Sequence, residues 1–225
     1  MMILDTIVPF GRSKLEYELM FAMSDCDRNK SIIGIGDGPA SFNAEMTAAG
    51  YQITSIDPIY QFTDAEIKSR FDACVDGIIE QVRNTPNNWV WGYHKSPDDL
   101  RANRETAIAI FLEDYDRGKS EGRYINAELP KLDFQEKQFQ LALCSHFLFL
   151  YSEHLSFEFH LDSIRELCRI AEEVRIFPLL NLAQLRSPYI DEICSTLAEE
   201  GISSKIIQVP YELQKGGNQA IVLHR

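Results

Sequence analysis

Ser31-Ile-Ile-Gly-Ile-Gly-Asp-Gly-Pro-Ala-Ser41, followed by Ile53-Thr-Ser-Ile-Asp-Pro58, decides the fold. An apolar run enters a glycine turn, a helix start follows, and a second apolar run ends on an acid. In an α/β sheet this order places main-chain N–H groups and one carboxylate around the crevice at the carboxyl ends of the strands. Gly34, Gly36 and Gly38 permit a tight turn and close approach of a ligand. Pro39 suits the first turn of the next helix. It also holds the place where the dinucleotide fingerprint G-x-G-x-x-G/A has its third small residue. The turn therefore serves a nucleoside better than a pyrophosphate, with Asp57 placed to accept from two ribose hydroxyls. A purely structural turn is the competing reading.

The 225 residues suffice for one large α/β domain or two small ones, and 45% hydrophobic content supports a sizeable core. Net charge is −12, and no Lys/Arg cluster is visible, so no nucleic-acid partner is expected. Cys26, Cys74, Cys144, Cys168 and Cys194 are scattered, odd in number and without a CxxC. That fits reduced thiols rather than a disulfide framework or a zinc site. The start carries Asp5 and no cationic-then-apolar pattern, so no signal peptide is expected. The most apolar run, 139–151, is too short for a membrane span and is interrupted by Ser145 and His146. The expectation is a cytoplasmic protein with no membrane partner, a monomer or homodimer.

Along the chain, Ser13-Lys-Leu-Glu16 is a capping box opening a helix to about Met23, with Leu15, Leu19 and Ala22 or Met23 on one face. It precedes the first strand and reads as an appendage. Asp25 to Lys30 is a polar connection. The alternation continues with strand one (32–35), a helix (39–49), strand two (51–56) and a helix opened by Thr63-x-x-Glu66 that runs to about Arg83. Residues about 84–122 break the rhythm, with aromatic Trp89-Val-Trp-Gly-Tyr-His94 and a helix begun by Ser96-Pro97. They read as an inserted helical lid. Strand three (123–128), strand four (139–145), a helix (157–171) and strand five (174–179) follow. A helix capped by Ser187-Pro188 then leads to two strands, 205–211 and 219–224, whose short connection makes them antiparallel. The architecture expected is a Rossmann-like, doubly wound seven-stranded α/β sheet, mostly parallel, with an antiparallel C-terminal hairpin. Residues 1–30 would form a helical cap and 31–225 the α/β domain.

This order, with the glycine turn after strand one and the acid after strand two, resembles the class I S-adenosylmethionine-dependent methyltransferases over residues 31 to 225. The strings Gly11-Arg-Ser13, Gly38-Pro-Ala-Ser-Phe-Asn43, Leu143-Cys-Ser-His-Phe-Leu-Phe-Leu-Tyr151 and Val209-Pro-Tyr-Glu212 also look like a bacterial branch of small methyltransferase-like proteins. The resemblance implies that Gly34, Gly36, Asp37 and Gly38 lie against the methionine part of S-adenosyl-L-methionine. Asp57 would hold the ribose, and Pro58 and Ile59 would pack on adenine. Ala127 and Glu128 would border its amino edge, with Ser145 and His146 beside the sulfonium. The Asn/Asp-Pro-Pro-aromatic tetrapeptide of amino-methylating enzymes is absent, and Cys144-Ser-His-Phe147 stands in its place. That points to a small-molecule acceptor without fixing the reacting atom.

Methyl transfer is an in-line displacement in which the protein supplies orientation and electrostatics. His146 is the first candidate for a base, against a structural imidazole bonded to a carbonyl. Tyr151 could orient an acceptor or pack the core. Trp89, Trp91, Tyr93 and His94 could floor an acceptor pocket or form a satellite core. Arg12 and Tyr17 could close the site, although a surface ion pair is the simpler account of Arg12. His154, His160 and His224 lack ligand spacing, so no metal is assigned. Cys144 reads as packing. The alternatives to an enzyme are a non-catalytic adenosylmethionine or adenosylhomocysteine sensor and, further off, a nicotinamide-dependent oxidoreductase.

Overall fold

The computed structural model describes residues 8–225; residues 1–7, part of the expected N-terminal cap, lie outside that range. Its helices are α1 (Lys14–Met20), α2 (Asp25–Arg28), α3 (Phe42–Ala48), α4 (Asp64–Asn84), α5 (Pro97–Ser120), α6 (Phe157–Ile170) and α7 (Ile190–Glu199). The strands are β1 (Ile32–Ile35), β2 (Ile53–Ile56), β3 (Tyr124–Ile125), β4 (Phe139–Ser145), β5 (Ala171–Phe177), β6 (Ser203–Gln208) and β7 (Gln219–His224). They form one sheet in the order β3-β2-β1-β4-β5-β7-β6. β1 pairs in parallel with β2 and β4, and the parallel run extends to β3 and β5. β7 alone runs the other way, between β5 and β6.

Strand alternation builds two apolar layers. Ile33 and Ile35 of β1, with Ala142 and Cys144 of β4, pack against α6 and α7 through Ile164, Leu167 and Ile193. Ile32, Leu141 and Leu143 face Tyr17 and Met20 of α1 and Phe42 and Met46 of α3. Central strands covered on both faces read as unbroken apolar runs, as β1 does. On the second side α4 lies against α5.

Several local expectations need correction. α1 buries Glu16, Tyr17 and Met20 and leaves Leu15 49% exposed, because Glu16 has fixed partners inside the protein. It is part of the core rather than an appendage. Residues 25–30 are not a plain connection, since Ser24 and Asp27 form a capping box over α2. α3 starts at Phe42, not at Pro39. The main chain of 39–41 is held by the preceding segment: Ser41 N–H donates to the Arg12 carbonyl at 3.1 Å, and a Cβ on Gly11 would lie 2.2 Å from the Pro39 oxygen. β3 has only two residues, because the chain leaves the sheet at Asn126. β5 begins at Ala171 with no loop after α6. Ser187 does not cap α7; it pairs with Ser152 Oγ at 2.6 Å. β6 lies two to three residues earlier than its hydrophobic pattern suggests.

Candidate functional site

After β1 the chain turns through Gly36 (φ +65°) and Gly38 (φ +55°), in the left-handed region that glycine enters without strain. A Cβ on Gly36 would lie 3.2 Å from Phe147 Cβ, so a side chain there would press on the segment after β4 as well as strain the main chain. The tip of β2 holds this loop. Asp57 accepts from Gly38 N–H at 2.9 Å and Ile59 N–H at 2.8 Å, while the Tyr60 hydroxyl donates to the Gly38 carbonyl at 2.8 Å. Burial pushes the Asp57 carboxyl up to about 6, against the pull of its two backbone donors.

Asp37 lines the same cavity, yet its carboxylate is committed elsewhere. It accepts from the Tyr17 hydroxyl at 2.7 Å and the Ser55 hydroxyl at 2.6 Å. Burial pushes it up to about 7, with the Asp57 charge adding to the rise and the two hydroxyls opposing it. A Cβ on Gly34 would lie 1.9 Å from Asp37 Oδ2. Gly34 therefore does not line the cavity, contrary to the expected ligand contact; it makes room for the Asp37 carboxylate.

β4 delivers Ser145 and His146. His146 has φ +51° and donates its N–H to the Phe177 carbonyl at 2.7 Å. Its Nδ1 lies 3.0 Å from Ser145 Oγ. Burial, with the charges of Arg12 and Arg104 added, holds the imidazole well below its usual range, so it is uncharged at neutral pH. A 3₁₀ turn, Phe149–Tyr151, then buries Tyr151, and burial raises its phenol. Burial likewise pushes the Cys144 thiol up to about 12, which leaves it as packing.

These pieces open on one cavity of about 750 Å³, in the range of cofactor and substrate sites. Gly36, Asp37, Gly38, Asp57, Pro58, Ile59, Ala127, Glu128, Ser145, His146 and Tyr151 all line it. Its other wall comes from the N-terminal segment, α4, α5 and the 213–214 loop, and is mostly apolar: Phe10, Ile78, Val82, Trp89, Leu100 and Leu213. The cations Arg12, Arg70 and Arg104 lie on that wall as well.

Behind that wall stands a buried ionic cluster. Arg104 grips Glu16 with two bonds, Nη1–Oε2 at 2.6 Å and Nη2–Oε1 at 2.7 Å. Tyr211 Oη (2.9 Å) and His94 Nε2 (3.1 Å) reach Glu16 Oε1, and Ser13 Oγ reaches Oε2. Burial opposes the Glu16 charge, but Arg104 and the hydrogen bonds from His94 and Arg104 hold its carboxyl well below the usual range. The four aromatic candidates thus separate: Trp89 lines the cavity, Trp91 packs beside it, His94 bonds Glu16 and Tyr93 bonds Ser13. Arg12 is not a surface ion pair; it lines the cavity. Phe10, Arg70 and Arg104 were missed as lining residues. Arg104 carried a signal: it falls four residues after Leu100 and four before Ile108, on the buried face of α5.

Among the described residues, no group of three or more His, Cys, Asp and Glu could hold a metal ion. No helix among them is long and apolar enough to cross a membrane.

The magnesium protoporphyrin IX methyltransferase (ChlM) of Synechocystis PCC 6803 with bound SAM superposes on this chain with a TM-score of 0.50. Sequence identity is 12%, covering 94% of this chain and 79% of that one. The same enzyme with bound SAH also gives 0.50 at 12% identity, covering 94% and 83%. The chain has the Rossmann-like fold of the S-adenosylmethionine-dependent methyltransferases. No family model matches it. A sequence relative does: the uncharacterized protein MJ0045 of Methanocaldococcus jannaschii is 35% identical over 222 residues, 98% of this chain and 97% of its own length. The chain belongs to the family of that protein.

Proposed function

We propose that this protein transfers a methyl group from S-adenosylmethionine to a small-molecule acceptor. One observation carries the reading: bare main chain at Gly36–Gly38 and the Asp57 carboxylate face a single cavity that continues past His146 onto an apolar wall. A nucleoside cofactor fits the first part, with Asp57 on the ribose, Pro58 and Ile59 on the adenine and Ala127 and Glu128 at its edge. The ligands bound in the ChlM structures, SAM and SAH, support this choice. The cofactor supplies an electrophilic methyl on sulfur. This chain's residues exclude water and align the acceptor, which in ideal cases is worth about 7–11 kcal/mol.

His146 is placed to take a proton if the acceptor must lose one. The tautomer with hydrogen on Nδ1 donates to Ser145 Oγ and leaves the Nε2 lone pair open, the form a base needs. Tyr151, which lines the same cavity, orients the acceptor. The space beyond His146 favours turnover over a sensor that only holds the cofactor. The net charge of −12 favours a small acceptor over a polyanion. The test is mass measurement of the purified protein for retained adenosyl ligand, then a metabolite screen for transfer of labelled methyl. Absence of adenosylhomocysteine binding by calorimetry would overturn the proposal.

A further inference from the structure

Arg12 stands out among the cations of the cavity. Arg104 is spent on Glu16, and Arg70 lies at the exposed mouth, its guanidinium 3.9 Å over the Phe62 ring. Arg12 is partly buried and no carboxylate of the described residues lies within ion-pair distance of it. Its Nη1 donates to the Phe10 carbonyl at 2.9 Å, and its Nε has no hydrogen-bond partner. Glu16, the acid whose charge it feels, is already held by Arg104, Tyr211 and Ser13. With Nη1 taken, the edge formed by Nε and Nη2 has no hydrogen-bond partner among the described residues. That edge carries two parallel donors, the spacing that matches the two oxygens of a carboxylate.

The position is fixed. The Arg12 carbonyl accepts from Ser41 N–H at 3.1 Å, and Gly11 packs on Pro39 so closely that no side chain fits. The guanidinium is thereby moored beside the glycine loop, within electrostatic reach of His146. Among the described residues, the acids that line the cavity, Asp37, Asp57 and Glu128, all come from the β1, β2 and β3 ends, and none of them pairs with Arg12. An unpaired charge held away from water is costly unless a ligand completes it.

We propose that Arg12 is a carboxylate-binding subsite of this cavity, serving either the methionine end of the cofactor or an acid group on the acceptor. The proposal rests on the nucleoside reading above. Calorimetry with S-adenosylhomocysteine and 5′-methylthioadenosine separates the two, because the second keeps the adenosine and thioether but has no carboxylate. A matched pair, 2-naphthoate and 2-naphthol, then probes the apolar wall of protein saturated with adenosylhomocysteine.

If the cofactor supplies the carboxylate, Arg12→Met weakens adenosylhomocysteine by about tenfold or more and leaves methylthioadenosine unchanged, and Arg12→Lys recovers part of the loss. If the acceptor supplies it, both nucleosides bind Arg12→Met as before. Wild type then prefers naphthoate to naphthol, and the variant loses that preference. Equal loss of both nucleosides, or no change with any of the four ligands, overturns the proposal. Failure of wild type to bind methylthioadenosine would instead sink the nucleoside reading, and the naphthoate pair on unliganded protein would still judge Arg12.

Discussion

Asp57, at the tip of β2, accepts the main-chain N–H of Gly38 across the crevice at 2.9 Å. One carboxylate therefore both pins the glycine loop and faces the space that loop encloses. Gly38 has little else around it: a Cβ there would meet only Asp57 Oδ2, at 3.9 Å. The loop's shape depends on this bond and on the Tyr60 hydroxyl from the other side.

Replacing Asp57 by Ala removes both the pin and the proposed ribose acceptor. A hydrogen bond to a charged group is worth about 1.5–3 kcal/mol, so loss of even one ribose bond should lower adenosylhomocysteine affinity by roughly 10- to 100-fold. Calorimetry checks this, and an unchanged affinity would remove Asp57 from the cofactor site.

Asp37 makes a statement about stability and pH. Its carboxyl is pushed up to about 7 in the folded protein by burial, above the ordinary aspartate value of about 3.9. A group raised in this way contributes stability that is complete below its unfolded value and is lost as pH rises through its folded one. Asp57, raised to about 6, acts in the same direction. The unliganded protein should therefore lose stability from these two groups between about pH 4 and about pH 7. Asp37→Asn should raise the melting temperature at about pH 8 and flatten the pH dependence. Thermal unfolding across that range is the check, and a variant less stable at both ends would contradict it.

His146 is uncharged at neutral pH, so it should add no inflection to activity near the ordinary histidine value of about 6.5. The acid limb of kcat/KM should instead follow Asp57, near about 6, because this profile reports the free enzyme. His146→Asn keeps a residue that tolerates positive φ. It should reduce kcat well beyond any change in adenosylhomocysteine affinity. Equal losses in the two measurements would assign His146 a structural role only.

The Glu16–Arg104 pair gives the largest expected stability effect. Glu16→Gln leaves a fully buried guanidinium without its counter-charge, at a cost of about 3–5 kcal/mol. For a chain of this size the melting point should fall roughly 6–20 °C. Replacing both partners together, Glu16→Leu with Arg104→Met, should cost less than either single change. Denaturant titration of the three variants decides it.

The frame of the molecule was legible because β1 and β4 are covered on both faces and so read as continuous apolar runs, with Gly36 and Gly38 marking where the first one turns. Asp57, Ser145 and His146 were legible for the same reason: strand ends in a parallel sheet point to one crevice. Hydrophobic pattern misled wherever a polar side chain was buried by a partner far along the chain. The apolar face of α1 runs through Leu15 and Leu19, whereas Glu16 and Tyr17 are buried, held by Arg104 and Asp37. The sequence leaves Arg12 between closing the site and a surface ion pair, because nothing near it in sequence shows that Ser41 and Pro39 draw its main chain against the glycine loop. A glycine that makes room for a side chain three residues later, as Gly34 does for Asp37, looks the same in a sequence as one that makes room for a ligand.

Tyr211 stands 195 positions after the Glu16 oxygen it bonds, and Arg104 and His94 enter the same cluster from between them. Contacts of such span are slow to form, because the intervening chain must first be confined. During synthesis the cluster behind Arg12 would stay incomplete until Tyr211 had left the ribosome. A chain ending short of Tyr211 could lay down the β1 turn and the β2 tip, but the cavity beside them would lack the cluster that backs its second wall.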